Sequence, residues 1–258
     1  MKTRNNIYPK FTLVGAGPGD ADLITVKGVQ ALTQADVILY DALVNKELLN
    51  YAPDTTLKIY VGKRNSNHAY SQEQINSLIV DFAFTYGHVV RLKGGDSFVF
   101  GRGYEEKVYA ELFNIDTEVI PGISSSIAVP ELQGIPLTNR GTNESFWVTT
   151  GTTSSGQLSE DVRLAAQSTA TVVILMGLNK LQEIVNVFKQ NDKHDTAIAI
   201  IQNGSLPNEK IVLGTIDTIA EIAQQEKIAA PAIIVIGDVV KLHEQFPVSL
   251  TDWKYLLN

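Results

Sequence analysis

Two glycine-rich stretches and a set of charged positions carry most of the chemistry this sequence offers. The first stretch is Gly15-Ala16-Gly17-Pro18-Gly19-Asp20, which follows a short apolar run. Glycine permits positive φ and lets backbone approach a ligand closely, while Pro18 fixes φ and removes one donor. Asp20 stands where the dinucleotide fingerprint needs its third glycine, which disfavours a nicotinamide cofactor. The second stretch, Arg91-Leu92-Lys93-Gly94-Gly95-Asp96-Ser97-Phe98, repeats the logic. Gly94 and Gly95 expose backbone amides, and the Asp96 carboxylate can accept from hydroxyl or ammonium donors, which suits a cationic or ribose-bearing ligand. Taken alone, such a stretch reads more readily as a turn in which Asp96 caps the next segment. Two glycine loops at two strand ends move the balance toward a ligand site.

The charges follow the same geography. Asp41 ends an apolar run, Lys63 and Arg64 follow another, Arg102 and Glu105 follow the Gly-Gly-Asp loop, and Arg140 follows Pro136-Leu137-Thr138-Asn139. If the runs are parallel strands, all these loops open at one edge of a sheet. Guanidinium groups grip carboxylates bidentately, so cations lining a crevice on an acidic protein favour a polycarboxylate ligand. Singly, each is also an ordinary solvated charge.

Short runs rich in Val and Ile alternate with helix-period segments, and Gly, Pro or Asp punctuates each switch. Strands are expected at Phe11 to Val14, Val37 to Tyr40, Leu57 to Val61, Val89 to Leu92 and Glu118 to Ile120. Further strands are expected at Phe146 to Thr149, Thr171 to Met176, Ala197 to Ile201 and Ala232 to Ile236. Ser71 and Gln74 form a capping box ahead of Ile75, Leu78, Ile79 and Phe82. Helices are also read after the first glycine loop, around Glu105 to Phe113, and from Pro121-Gly122 to Gln133. The rhythm is βαβ, an α/β fold whose strands are buried on both faces of a mainly parallel sheet. Pro136 to Ser145 is the linker candidate, giving domains over residues 1–142 and 143–258. In the second of these, Met176-Gly177 at a strand end could present a soft apolar wall to a ligand but reads more readily as core filler, and Asn203-Gly204-Ser205 is a turn signal after a strand that reads either way.

The chain has 258 residues, of which 44% are hydrophobic and 19% charged, ample for one large or two modest cores. It contains no Cys, which excludes disulfides and thiolate chemistry, and its four His show no metal-binding spacing, so no metal is expected. A formal charge of −7 disfavours nucleic acid as a partner. No apolar stretch approaches the roughly 20 residues of a spanning helix, and no signal-peptide core follows the basic start, so a cytoplasmic location is expected.

The ordered blocks Gly15-Ala-Gly-Pro-Gly-Asp20, Asp41, Val61-Gly-Lys-Arg64, Val90-Arg-Leu-Lys-Gly-Gly-Asp96, Phe98-Val-Phe-Gly-Arg-Gly103, Pro121-Gly-Ile-Ser-Ser125 and Gly134-Ile-Pro-Leu-Thr138 resemble those of the tetrapyrrole methylases. The similarity continues through Met176-Gly177, Asn203-Gly204 and Pro231 to Gly237. It implies two α/β domains, an N-terminal one with a mainly parallel sheet and a C-terminal one with a mixed sheet that also serves dimerisation. S-adenosylmethionine would sit in a cleft between them, leaving as S-adenosylhomocysteine. The resemblance further implies a homodimer and a small-molecule tetrapyrrole substrate, uroporphyrinogen III, methylated at two ring carbons to give precorrin-2 for sirohaem, cobalamin or haem d1. By position it carries cofactor contacts to Pro18, Gly94, Gly95, Asp96, Val99, Ser124, Ser125, Met176 and Gly204, with Ala232 a weaker candidate. Proton-transfer roles fall to Asp41 and Lys63, with Arg102 a rival; Arg102, Glu105 and Arg140 face substrate.

Three positions depart from the pattern. Ser97 replaces a proline after Gly-Gly-Asp, Asn139 replaces a frequent His before Arg140, and Thr152 replaces a frequent His after Thr-Gly. Two other readings stay beside the main one: a sister methylase acting on a later corrin precursor or on ribosomal RNA, and a non-catalytic tetrapyrrole- or cofactor-binding module.

Overall fold

The computed structural model describes residues 7–62 and 70–246. The chain forms two compact units, one through Ser124 and the other from Ser125. The first holds strands β1 (Lys10–Gly15), β2 (Val37–Tyr40), β3 (Leu57–Tyr60), β4 (His88–Lys93) and β5 (Asp116–Ile120). They lie in the order β3-β2-β4-β1-β5, and every pairing is parallel. All five apolar runs expected to be strands are strands here.

Alternation of side chains explains why these runs are almost unbroken in hydrophobicity. Phe11, Leu13, Val37, Leu39 and Val89 face helices α2 (Gln72–Tyr86) and α3 (Gly103–Glu111). Val14, Ile38, Val90, Leu92 and Ile120 face the other way, against α1 (Val26–Thr33) and the 3₁₀ turn Lys46–Tyr51. Each fully buried aliphatic side chain of this kind contributes about 1.5–3 kcal/mol. The capping box at the start of α2 is present: the Gln74 amide donates to Ser71 Oγ at 3.3 Å, and the Ser71 amide donates to Gln74 Oε1 at 2.8 Å. At the other end Gly87, at φ +115, lets the chain turn straight into β4.

The second unit begins with α4 (Ser125–Leu132) and carries β6 (Phe146–Thr150), α5 (Glu160–Gln167), β7 (Thr171–Leu175), α6 (Leu181–Lys189), β8 (Ala197–Gln202), β9 (Lys210–Thr215), α7 (Ile219–Gln225) and β10 (Ala232–Ile236). Its sheet runs β6-β7-β10-β8-β9, parallel between β6 and β7 and antiparallel elsewhere. This is the mixed sheet expected. Strand β9 was not among the sequence expectations; it is a half-buried edge strand whose apolar run is only Ile211-Val212-Leu213, closed by Gly214.

The units divide at Ser124 rather than near residue 142. Val129 of α4, Ile135 and Leu137 pack with Val173, Ile201, Ile233 and Val235 of the second sheet, so the polar stretch 136–145 lies inside the second unit instead of linking the two. No helix among the described residues is long and apolar enough to cross a membrane.

Candidate active site

The loops that follow β1, β4 and β5 interlock at the carboxyl edge of the first sheet. Gly17 and Gly95 exchange backbone hydrogen bonds, Gly95 donating at 2.7 Å and Gly17 at 3.2 Å. A Cβ on Gly15 would lie 2.4 Å from the Gly122 nitrogen, and one on Gly122 would lie 2.3 Å from the Gly95 carbonyl oxygen. Atoms cannot approach that closely, so these glycines are demanded by loop-on-loop packing. Gly94 abuts Leu43 of the loop after β2, where a Cβ would fall 2.6 Å from the leucine Cβ. Asp96 clasps the arrangement: its Oδ1 accepts from the Phe98 amide at 2.8 Å and its Oδ2 from the Gly122 amide at 3.1 Å. Asn45 adds a donor to the Gly19 carbonyl at 3.0 Å. Pro18, Gly94, Gly95, Asp96 and Val99 are thereby gathered on one built edge.

Beside that edge lies an open cleft lined by Asp41, Val61, Gly62, Tyr70, Ser71, Gln72, Ile75, Arg91 and Arg102. The structure thus brings Asp41 and Arg102 together. Arg102 occupies the left-handed region, at φ +59, immediately before α3. Its guanidinium grips Glu105 bidentately, Nε to Oε1 at 3.0 Å and Nη2 to Oε2 at 2.6 Å. Each group steadies the charge of the other: the hydrogen bonds that Arg102 donates to Glu105 raise the Arg102 pKa and lower the Glu105 pKa. Both side chains remain half exposed.

Sequence reasoning passed over what lies beneath the cleft. Arg91, 3% exposed, and Lys93 alternate along β4 and point to the same face as Leu13 and Leu39. Between them sits Glu106 of α3, fully buried, whose Oε1 accepts from Arg91 Nε at 3.3 Å, Lys93 Nζ at 3.0 Å and Gln72 Nε2 at 3.2 Å. Burial lowers the Lys93 pKa, and the neighbouring Arg91 charge adds to that, while Glu106 and Asp41 oppose it. Arg91 also reaches the cleft, its Nη2 lying 3.7 Å from Asp41 Oδ2. The available signal was two cations spaced by two in an otherwise apolar strand, which requires a buried counter-ion on one face.

The second unit gathers its own set of candidate residues. Met176, at φ +54 after β7, accepts a bond from Thr152 Oγ1 through its carbonyl at 2.9 Å. The Asn203 amide donates to the Pro231 carbonyl at 3.0 Å, so Gly204 lies beside the start of β10 and Ala232. Gly204 is required by α4: a Cβ there would meet Val129 at 2.3 Å. Met176, Gly204 and Ala232 therefore share one edge of this sheet. Arg140 belongs to the second unit and follows no strand of the first sheet, which removes the ground for expecting all the charged loops to open together. It sits in the exposed turn before β6, which Asn143 ties to Thr171 at the amino end of β7, away from Met176. The chain has already entered the second unit there. Ser124 and Ser125 stand where the units divide, both half-buried. Lys63 and Arg64 lie outside the described residues. Among the described residues no group of three or more His, Asp or Glu could hold a metal ion.

Residues 10–220 match the family described as Tetrapyrrole (Corrin/Porphyrin) Methylases. The chain is 48% identical over 235 residues to a uroporphyrinogen-III C-methyltransferase of Methanocaldococcus jannaschii, covering 90% of this chain and 97% of that one. It is 42% identical over 245 residues to a siroheme synthase of Actinobacillus pleuropneumoniae, covering 95% of this chain but only 50% of that longer protein. A crystal structure of uroporphyrin-III C-methyl transferase from Thermus thermophilus, complexed with S-adenyl homocysteine, superposes with a TM-score of 0.78 at 35% identity and covers 90% of this chain and 99% of that one. With its matching fold, its interlocked glycine loops and a family match over most of its length, the chain belongs to the tetrapyrrole methylases.

Proposed function

We propose that this methylase transfers methyl groups from S-adenosylmethionine to two ring carbons of uroporphyrinogen III, giving precorrin-2. The observation that carries the reading is the pairing of Asp41 with Arg102 in one cleft beside the glycine-built edge. The near full-length similarity to proteins named for this reaction supports it.

The loops fit such a donor. Gly94 and Gly95 offer backbone with no side chain in the way, and Ser124 and Ser125 are small and polar. When bound, S-adenosylmethionine supplies an electrophilic methyl group on a sulfonium. Pro18, Gly94, Gly95, Asp96, Val99, Ser124 and Ser125 are its proposed contacts, with Met176, Gly204 and Ala232 contributed by the second unit.

The chain's own work is positioning and proton handling. Arg102 and Arg140 hold carboxylate arms of the substrate by bidentate contacts, and Glu105 faces the same ligand. A pyrrole carbon of uroporphyrinogen gives its electron pair to the new carbon–carbon bond, the sulfur keeps the pair of the broken bond, and the ring system is left one proton in excess. Asp41 accepts that proton, with Lys63 as its electrostatic partner. Positioning supplies much of the rate, since an electron-rich pyrrole needs little further activation.

The test is anaerobic incubation of the protein with uroporphyrinogen III and S-adenosylmethionine, followed by mass measurement of the tetrapyrrole. A gain of two methyl groups is expected. An unchanged mass overturns the reading, and methylation of a later corrin precursor alone would move the substrate to that class.

A further inference from the structure

Arg91 lines the cleft, and a cation there invites assignment as another grip for substrate carboxylates. Its hydrogen bonds argue otherwise. Nε is given to Glu106 Oε1 at 3.3 Å, and Nη1 to the backbone carbonyls of Leu39 at 3.3 Å and Leu92 at 3.0 Å. These partners fix the plane of the guanidinium from three directions, and Nη2 is left facing Asp41 Oδ2 at 3.7 Å. Asp41 is held from its other side as well, Oδ1 accepting from the Leu43 amide at 3.1 Å.

Charge balance points the same way. Beneath the cleft two cations, Arg91 and Lys93, share one fully buried carboxylate, Glu106, whose second oxygen has no hydrogen-bond partner among the described residues. The second carboxylate that this pair of cations needs is Asp41, 24% exposed at the rim. An uncompensated buried charge is costly, and the Asp41 carboxylate turned toward Arg91 completes the balance of the set.

We propose that Arg91 is a positioning residue for Asp41: Glu106 and the Leu39 and Leu92 carbonyls fix its guanidinium, and the guanidinium fixes the Asp41 carboxylate where the proton must be taken. Lys cannot reproduce this, because it keeps the charge but lacks the planar fork that reaches Glu106, the carbonyls and Asp41 together. The proposal rests on the methyl transfer set out above.

Steady-state kinetics of Arg91→Lys and Glu106→Gln test it, alongside wild type. Expected is a fall in kcat of about ten-fold or more in each, with KM for both the tetrapyrrole and the methyl donor within about two-fold of wild type. Unchanged kcat in folded variants overturns it, as does a rise in the tetrapyrrole KM that accounts for the whole loss, which would make Arg91 a substrate grip. Because the network is buried, either variant can fail to fold. A crystal structure of wild-type protein with bound tetrapyrrole then decides: the Arg91–Asp41 pair kept intact supports the proposal, and Arg91 turned onto a substrate carboxylate overturns it. Wild-type protein that yields no methylated product defeats the functional reading itself, whereas active wild type with indifferent variants defeats only the role of Arg91.

Discussion

The Gly122 amide donates to Asp96 Oδ2 at 3.1 Å, so the loop after β5 hangs on a side chain from the loop after β4. Asp96 also holds its own loop through the Phe98 amide, which makes one carboxylate the clasp of two turns. Asp96→Ala should leave both amides without their acceptor and cost about 1–3 kcal/mol of stability. Affinity for S-adenosylmethionine, read by calorimetry, should fall together with the melting temperature. Unchanged affinity would remove Asp96 from the donor site.

Gly122 is the other half of that clasp. Gly122→Ala places a Cβ 2.3 Å from the Gly95 carbonyl oxygen and 2.6 Å from the Gly15 carbonyl carbon, where both neighbours are backbone and neither can swing away. A loss of about 1–3 kcal/mol in urea unfolding is expected from such overpacking. Gly134→Ala is the contrasting control for space, since nothing lies within 4 Å of its Cβ position, although its φ of +67 still disfavours a side chain.

Much of this was readable from residue order. The parallel sheet followed from Val- and Ile-rich runs broken by glycine and carboxylate, because strands covered on both faces leave no polar stripe. The capping box at Ser71 and Gln74 is a short-range signal and appears in place. The glycines after β1, β4 and β5 were legible as special, but not their reason: that Gly15, Gly95 and Gly122 touch one another depends on strand order, which no local pattern encodes. For the same reason residue order alone groups Arg140 with the loops of the first sheet, and Glu106, fourth in a helix full of charge, gives no sign that it is buried between Arg91 and Lys93.

Ser97 stands where the resemblance leads one to expect proline. Its hydroxyl is buried, at 1% exposure of the residue, and has no hydrogen-bond partner among the described residues. The structure therefore carries the desolvation cost of that hydroxyl without return. Ser97→Ala should raise stability by about 1 kcal/mol, seen as a higher melting temperature with methylation unchanged. A lower melting temperature would mean that the hydroxyl has a partner in solution.

The pH dependence of stability should carry the mark of two histidines. Burial holds the pKa of His88 below its ordinary value near 6.5, and burial does the same for His243. The unfolded chain then binds protons more readily than the folded one, so stability is full above about pH 6.5 and falls as pH drops below it toward the folded-state values. His88 is tied to Thr12 Oγ1 at 2.8 Å and to the Gln34 carbonyl at 3.1 Å, contacts that a neutral ring makes as acceptor and donor. His88→Gln should flatten the slope of melting temperature between about pH 7 and pH 5.5. A slope identical to wild type would assign the effect to His243 or to other groups.

Arg102 meets Glu105 in the same bidentate geometry with which it would meet a substrate carboxylate. Its side chain is 55% exposed, so the pair is worth little to folding, about 0–1 kcal/mol, and can be exchanged for a ligand without loss of structure. Arg102→Ala should weaken uroporphyrinogen III binding at least ten-fold while leaving S-adenosylmethionine affinity within about two-fold, and Arg102→Lys should recover only part of the loss because one point charge replaces a fork. Arg140→Ala should show the same pattern if that turn also takes a carboxylate arm. Equal loss of both ligands in Arg102→Ala would place the residue with the fold of the cleft, and full recovery by Lys would show that charge alone suffices.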